Sequence, residues 1–289
     1  MKIRSFYKLL AAVMLMAPCT AAQSQGTQTP APQAPAGQTV APQAATSQES
    51  AEVTTLKDTV QRLQNRLNDW PQLARYREAD GKVTAPQKKE KRVVFLGDSI
   101  TDSWQRPNMS KFFAADGPNA NSYIDRGISG QTTPQMLVRM HDDVIALQPK
   151  VVVILAGTND IAGNTGPMTL EETEANITTI CELARAHKVR VVLSSVLPVS
   201  DYGHNAQGAP IQQSVRRPPE KILELNHWIA EFAAANRHTY LDYFTSMVDD
   251  KGMFKAELSE DGLHPNAAGY AVMEPLVEKA ISTAMKKKP

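Results

Sequence analysis

Residues 151–160 read VVVILAGTND. A continuous apolar run, Val151 to Ala156, that ends in a glycine and three polar residues has the pattern of a strand covered on both faces. Outward from it the chain alternates. Val93–Leu96 and Val189–Ser194 are further strand candidates, Ser122–Ile124 is a weaker one, and Tyr240–Leu241 a short fifth. Helical patterns over 134–147, 170–187, 220–236 and 266–285 separate or follow them. This alternation predicts an α/β fold, a parallel sheet with helices on both faces. Such a sheet binds its ligands beyond the carboxyl ends of its strands, so the residues just after each strand carry the functional reading.

Gly97-Asp98-Ser99 follows the first strand, Gly127-Ile128-Ser129-Gly130 the second, and Gly157-Thr158-Asn159-Asp160 the third. Asp261-Gly262-Leu263-His264-Pro265 precedes the last helix. Together these bring a hydroxyl, a glycine amide, a carboxamide and an Asp/His pair to one sheet edge. A serine hydroxyl is a weak nucleophile until a base takes its proton. His264 is placed to be that base, with Asp261, three residues earlier, holding the imidazole in the right tautomer. The charge that develops on an attacked carbonyl oxygen needs preorganised donors. The Ser99 N–H, the Gly130 N–H and the Asn159 side-chain amide form a candidate oxyanion hole of that kind.

In these four blocks the chain resembles the SGNH hydrolases, also called the GDSL lipase/acylhydrolase family, whose Ser, Gly, Asn and His are matched by Ser99, Gly130, Asn159 and His264. The resemblance runs from about Lys91 to Ala284 and takes in GTND and LHPNAAGY. It implies a three-layer α/β/α sandwich, a flavodoxin-like five-stranded parallel sheet. It also implies ester hydrolysis through an acyl-enzyme with Ser99 as nucleophile, His264 as base and Asp261 as orienting acid, and with no metal or cofactor. Two positions depart from the pattern. GDSI stands for GDSL, a volume-conserving exchange. Asp125 stands before Arg126-Gly127 where Asn is expected, and it adds a negative charge if it lies near the site.

Other residues have a structural reading beside the functional one. Asp98, Asp102, Trp104 and Tyr202 are candidates for the substrate pocket. Asp98 reads first as a turn former that orders the loop, and Trp104 equally as core. Asp160 reads as a loop anchor or helix cap, and as a lesser rival to Asp261. His141, His187, His204, His227 and His238 show no paired spacing, and neither HExxH nor a Cys/His cluster occurs, so no metal site is expected. Gly127–Gly130 lacks the Gly-Lys-Ser/Thr ending of a phosphate loop. Gly-x-Ser-x-Gly is absent around Ser99, which argues against an α/β-hydrolase.

The rest of the chain of 289 residues sets the context. Residues 1–22 read as a secretory signal: Lys2, Arg4 and Lys8, then an apolar Leu9–Ala17 too short to span a bilayer, then Thr20-Ala21-Ala22. Lipidation at Cys19 is a weaker reading, because Pro18 precedes it. Residues 23–50, rich in Gln, Pro, Ala and Thr, bury too little apolar surface to fold and read as a disordered tether. Within a helical segment at 51–90, Val53, Leu56, Val60, Leu63, Leu67 and Trp70 form a stripe at spacings of three and four. That helix lies on or leads into the domain, or seeds a coiled coil. Residues 91–289 then form the catalytic domain. The net charge of +1 suggests no nucleic-acid partner. Cys181 reads as a small buried apolar residue.

The expectation is an exported, secreted or periplasmic serine esterase acting on short acyl groups, most plausibly acetyl on a carbohydrate. The polar and basic loop at 198–219, with Arg216 and Arg217, favours small or polar substrates over long acyl chains. A lipase or lysophospholipase-type acylhydrolase is the runner-up. A catalytically silent carbohydrate-binding module on the same fold is the rival from another class. Oligomeric state is not written in the sequence.

Overall fold

Every residue of Val151–Leu155 is buried, because helices cover both faces of the sheet it centres. The structure, a computed structural model, describes residues 43–117, 119 and 122–288. The expected signal segment and residues 23–42 of the expected tether lie outside the described residues. Two units divide at Thr54/Thr55. The described part of the first is helical. The second holds everything discussed below.

In chain order the elements are α1 (Gln43–Asn68), α2 (Arg77–Asp80), β1 (Val93–Gly97), α3 (Ser99–Trp104), β2 (Tyr123–Gly127) and α4 (Thr133–Asp143). They continue as β3 (Val151–Leu155), α5 (Thr158–Ile161), α6 (Leu170–Ala186), β4 (Arg190–Ser194) and α7 (Gln213–Arg216). The chain ends with α8 (Pro219–Ala235), β5 (Thr239–Leu241), α9 (Phe244–Met247) and α10 (Ala267–Lys286). The five strands pair in parallel in the order β2-β1-β3-β4-β5, the flavodoxin-like order. Each expected strand is present, with ends shifted by a few residues.

Successive side chains of a strand point to opposite faces, and the core follows that alternation. Val94, Leu96, Val152 and Ile154 pack with Met136 and Met140 of α4, Ile177 and Ile180 of α6, and Leu225 of α8. Val93, Phe95, Val151 and Val153 pack instead with Ile100 and Trp104 of α3 and with Tyr270, Met273 and Val277 of α10. These are the three expected layers. Cys181 lies buried in the first of these clusters, and burial pushes its thiol up to about 12. Among the described residues no helix is long and apolar enough to cross a membrane.

The amino-terminal segment departs from expectation. The helix begins at Gln43, ahead of the boundary expected at 51, and its stripe is not buried: Leu56 is 64% and Leu67 78% exposed. From Trp70 the chain is tied to the domain, ahead of the boundary expected at 91. Gln135 Nε2 donates to Trp70 O at 2.7 Å and Gln131 Nε2 to Pro71 O at 2.7 Å. Tyr76 Oη donates to Gly127 O, and Arg126 Nε donates to Asp80 Oδ1 at 2.9 Å. These partners are spread over β2, α4 and the loop between them, which no local pattern near residue 70 reveals.

Asp125, the departure from the family pattern, is buried on β2. Its Oδ1 accepts the Gly127 N–H at 2.7 Å, while Oδ2 has no hydrogen-bond partner among the described residues. Burial pushes its carboxyl up to about 8 and outweighs the Gly127 hydrogen bond that lowers it. The expected added charge is therefore suppressed near neutral pH. A protonated carboxyl offers one acceptor and one donor, as the expected asparagine would. A folded-state value raised above the ordinary 3.8 means that the native state holds the extra proton, so stability is lost as pH rises from there to about 8. The thermal midpoint of Asp125→Asn is expected to match wild type near pH 4 and to exceed it progressively up to about pH 9. A difference that stays constant across that range would contradict the assignment.

Candidate active site

The order of the strands reverses direction around β1, which pairs with β2 on one side and β3 on the other. Ligand sites of open parallel sheets form at such a point, beyond the carboxyl ends of the strands. Ser99 sits here, in the first turn of α3, directly after β1. Asp98 caps that helix, its Oδ1 accepting the Ile100 N–H at 2.9 Å.

Ser99 Oγ lies 2.9 Å from His264 Nε2, and His264 Nδ1 lies 2.6 Å from Asp261 Oδ2. Asp261 Oδ1 accepts the backbone N–H groups of Leu263 at 2.9 Å and His264 at 2.8 Å, so one carboxylate orders both the loop and the ring. Gly262 makes the loop possible: its φ is +73°, and a Cβ there would stand 2.1 Å from Ser200 O. Burial acts to raise the Asp261 carboxyl, but hydrogen bonds from the His264 ring and backbone and from Leu263 N–H win and hold it well below the usual carboxylate range. It is a permanent anion, suited to fixing the Nδ1–H tautomer and to stabilising an imidazolium.

The three candidate donors converge on the same cleft of about 520 Å³, which Ser99, Gly130, Asn159 and His264 line. The Gly130 N–H has no hydrogen-bond partner among the described residues. Gly130 has φ +79°, while a Cβ would meet nothing closer than 3.9 Å, so backbone conformation and not space demands glycine. Asn159 donates from Nδ2 to Gln131 O at 3.0 Å, which leaves its second N–H for the cleft. Its Oδ1 accepts from Asn164 Nδ2 at 2.9 Å and from Arg217 Nη2 at 3.1 Å. These partners settle which end of the carboxamide is which.

Arg217 and Asn164 are the residues that sequence reasoning missed. Arg217 is buried on the 198–219 loop, and also donates Nε to Thr158 Oγ1 at 3.1 Å. Arg216 holds Asn164 Oδ1 at 2.9 Å. The basic character of the loop is legible in Arg216 and Arg217, but only the folded path of the loop shows that they contact Asn159 and Asn164. Arg139, wholly buried, ties the strand ends together by donating to Gly97 O at 2.9 Å, Arg126 O at 2.8 Å and Gln131 Oε1 at 2.6 Å.

The four pocket candidates do not line this cleft. Asp98 is fully buried beneath it, and burial raises its carboxyl to about 6 against the Ile100 hydrogen bond and the nearby His264. Asp102 accepts from Ser129 Oγ at 2.5 Å and pairs with Arg75 at 3.4 Å, behind the Gly130 loop. Trp104 belongs to the core, stacked on Phe112 at 4.9 Å and Tyr270 at 5.2 Å between ring centroids. Tyr202 points elsewhere, its hydroxyl donating to Asp249 Oδ2 at 2.7 Å. Asp160 receives the Thr133 N–H at 3.0 Å at the start of α4, so it is not the histidine's partner. Ser103, Arg106 and Met109 line the cleft instead.

Comparison with known proteins agrees with this geometry. Residues 95–272 match the model of the GDSL-like Lipase/Acylhydrolase family. A GDSL-like lipase of Bacteroides thetaiotaomicron, known as a crystal structure, is 40% identical, with 74% of this chain and 98% of that one covered and a TM-score of 0.65. An acetylxylan esterase from Geobacillus stearothermophilus is 24% identical over 206 residues, 63% of this chain and 90% of that protein. A crystal structure of an acetylxylan esterase from the same organism superposes with a TM-score of 0.52 at 20% identity, over 72% of this chain and all of the other, and shares the fold.

Proposed function

Given that this chain belongs to the GDSL-like lipase/acylhydrolase family and is a carboxylic ester hydrolase, we propose that it removes short acyl groups, acetyl above all, from carbohydrate hydroxyls. The observation that carries the reading is the unbroken Ser99–His264–Asp261 chain, opening on a cleft with few apolar lining residues. Met109, Leu263 and Pro265 are its apolar walls, beside Arg106, Arg216, Arg217, Asn164 and Asn266. A long acyl chain laid there would desolvate polar groups without replacing their hydrogen bonds, which is unfavourable. An acetyl group on a hydroxyl-rich alcohol fits the lining. The acetylxylan esterase relative supports the same substrate class. Export rests on the character of residues 1–22.

In this mechanism His264 Nε2 takes the Ser99 proton as Oγ attacks the ester carbonyl carbon. The oxyanion is met by the Ser99 and Gly130 N–H groups and by Asn159 Nδ2. Collapse breaks the bond to the alcohol oxygen, which leaves with the proton from His264. Water, deprotonated by His264, then attacks the acyl-enzyme and releases the acid and free Ser99. Asp261 stays ionised throughout.

The test is a series of p-nitrophenyl esters and acetylated sugars with the purified chain. The expected result is kcat/KM highest for acetate, lower for butyrate and lowest for a long-chain ester, with acetate released from acetylated sugars. A preference for the long chain would support the lipase reading instead.

A further inference from the structure

We infer that a second cleft, beside the catalytic one, is a saccharide subsite that holds sugar rings neighbouring the acylated one; this rests on the carbohydrate-ester reading above. The cleft encloses about 620 Å³ and shares Ser129, Gly130 and Asn164 with the catalytic cleft, so the two are separated only by the rim that carries the Gly130 donor. Its far wall is the end of α1 and the segment that follows it. That segment lies outside the span matching the family model.

Trp70 is among its lining residues. It is 41% exposed, yet its backbone is fixed. Gln135 and Gln131 grip the Trp70 and Pro71 carbonyls at 2.7 Å each, and the Asp69 carboxylate accepts the Leu73 and Ala74 N–H groups at 2.7 and 2.9 Å. Gln131 is itself almost wholly buried, and its carbonyl accepts from Asn159. Gln131, which holds Pro71 next to Trp70, therefore also contacts Asn159, the candidate oxyanion donor. A rigid aromatic face costs little ordering on binding.

The lining selects the ligand. Asn65, Asp69, Gln72, Gln131 and Thr165 line the cleft with Trp70, so among the described residues its polar lining is carboxamide, hydroxyl and carboxylate. Carboxamides and hydroxyls disfavour an alkyl chain. A pyranose ring has an apolar C–H face and a rim of hydroxyls. It matches an aromatic plate edged by amides, the arrangement of an apolar wall with a few placed polar groups that small-molecule sites use. The structure thus favours an oligosaccharide ester over a single acetylated sugar.

The experiment compares kcat/KM for acetylated xylotetraose with that for acetylated xylose, in wild type, Trp70→Ala and Trp70→Tyr. Wild type is expected to prefer the tetrasaccharide. Trp70→Ala is expected to reduce that preference by about tenfold, the scale of truncating a well-placed aromatic contact. Trp70→Tyr keeps an aromatic face and is expected to retain most of it. Trp70 is exposed, so the variants are expected to fold, and their thermal midpoints check this. A preference that Trp70→Ala leaves intact overturns the subsite while the esterase reading stands. Wild type that cleaves p-nitrophenyl acetate but neither sugar ester overturns the carbohydrate reading, and the subsite with it.

Discussion

Ser99→Ala is expected to lower kcat for p-nitrophenyl acetate by about ten-thousandfold or more, with the fold unchanged. The size follows from the geometry. Ser99 Oγ sits 2.9 Å from His264 Nε2, and the ring's other nitrogen is locked to Asp261 at 2.6 Å, so in the proposed mechanism hydroxyl, base and acid act as one unit. Removing the nucleophile from such a unit leaves only binding and the oxyanion donors, and losses of about 10⁴ to 10⁶ follow. His264→Ala is expected to cost about as much, and the double variant little more than either alone, because each removes the same unit. Ser99 is at the surface of the cleft and Ala is favourable in a helix, so the thermal midpoint is expected to stay close to wild type. Stopped-flow burst kinetics add a direct check: wild type is expected to release p-nitrophenol faster than acetate, and Ser99→Ala to show no burst. Activity of Ser99→Ala within tenfold of wild type would exclude the acyl-enzyme mechanism.

Asn159→Ala is expected to cost about 100- to 1000-fold in kcat with little change in KM, roughly 3 to 4 kcal/mol of transition-state stabilisation. The donor matters most once the carbonyl oxygen has become an oxyanion, so the loss falls on kcat. The same logic extends to Arg217, whose guanidinium holds Asn159 Oδ1 at 3.1 Å and so directs Nδ2 toward the cleft. In the proposed mechanism Arg217 is a positioning residue. Arg217→Met is expected to lower kcat by tenfold or more through misdirection of the carboxamide, again with KM nearly unchanged. A purely structural role would lower the thermal midpoint without that split. If Arg217→Met instead raised KM alone, the arginine would be a substrate contact.

The reading of this chain worked where residue type and spacing are local facts. The run Val151–Leu155 announces a strand covered on both faces because every one of its side chains must be buried. Asp261 and His264 are joined by one tight loop, so their contact is legible from their spacing. Trp104 is a pocket candidate from its place just after Gly97-Asp98-Ser99, and Tyr202 from its place in the long 198–219 loop. Helix α3 turns Trp104 into the aromatic cluster around Phe95, and the loop carries Tyr202 toward Asp249. The stripe on α1 predicts a helix correctly but not its burial, since periodicity records which face is apolar and not whether anything covers it. Asp125 was read as a charge. Its proton depends on a buried surrounding that no neighbour in sequence supplies.

By itself the amino-acid sequence determined the class of sheet, the order of its elements and the identities of the residues at the strand ends. Those follow from short-range rules, side-chain periodicity and the turn chemistry of glycine, aspartate and serine. The tertiary structure alone decided which groups meet across the long gaps: Arg217 with Asn159, Arg139 with Gly97, and Gln131 with both Pro71 and Asn159. Each of these joins positions tens of residues apart through a hydrogen bond shielded from water. Such a bond is set by the packing of whole elements against one another, and a buried polar group takes whichever partner the packing brings within reach.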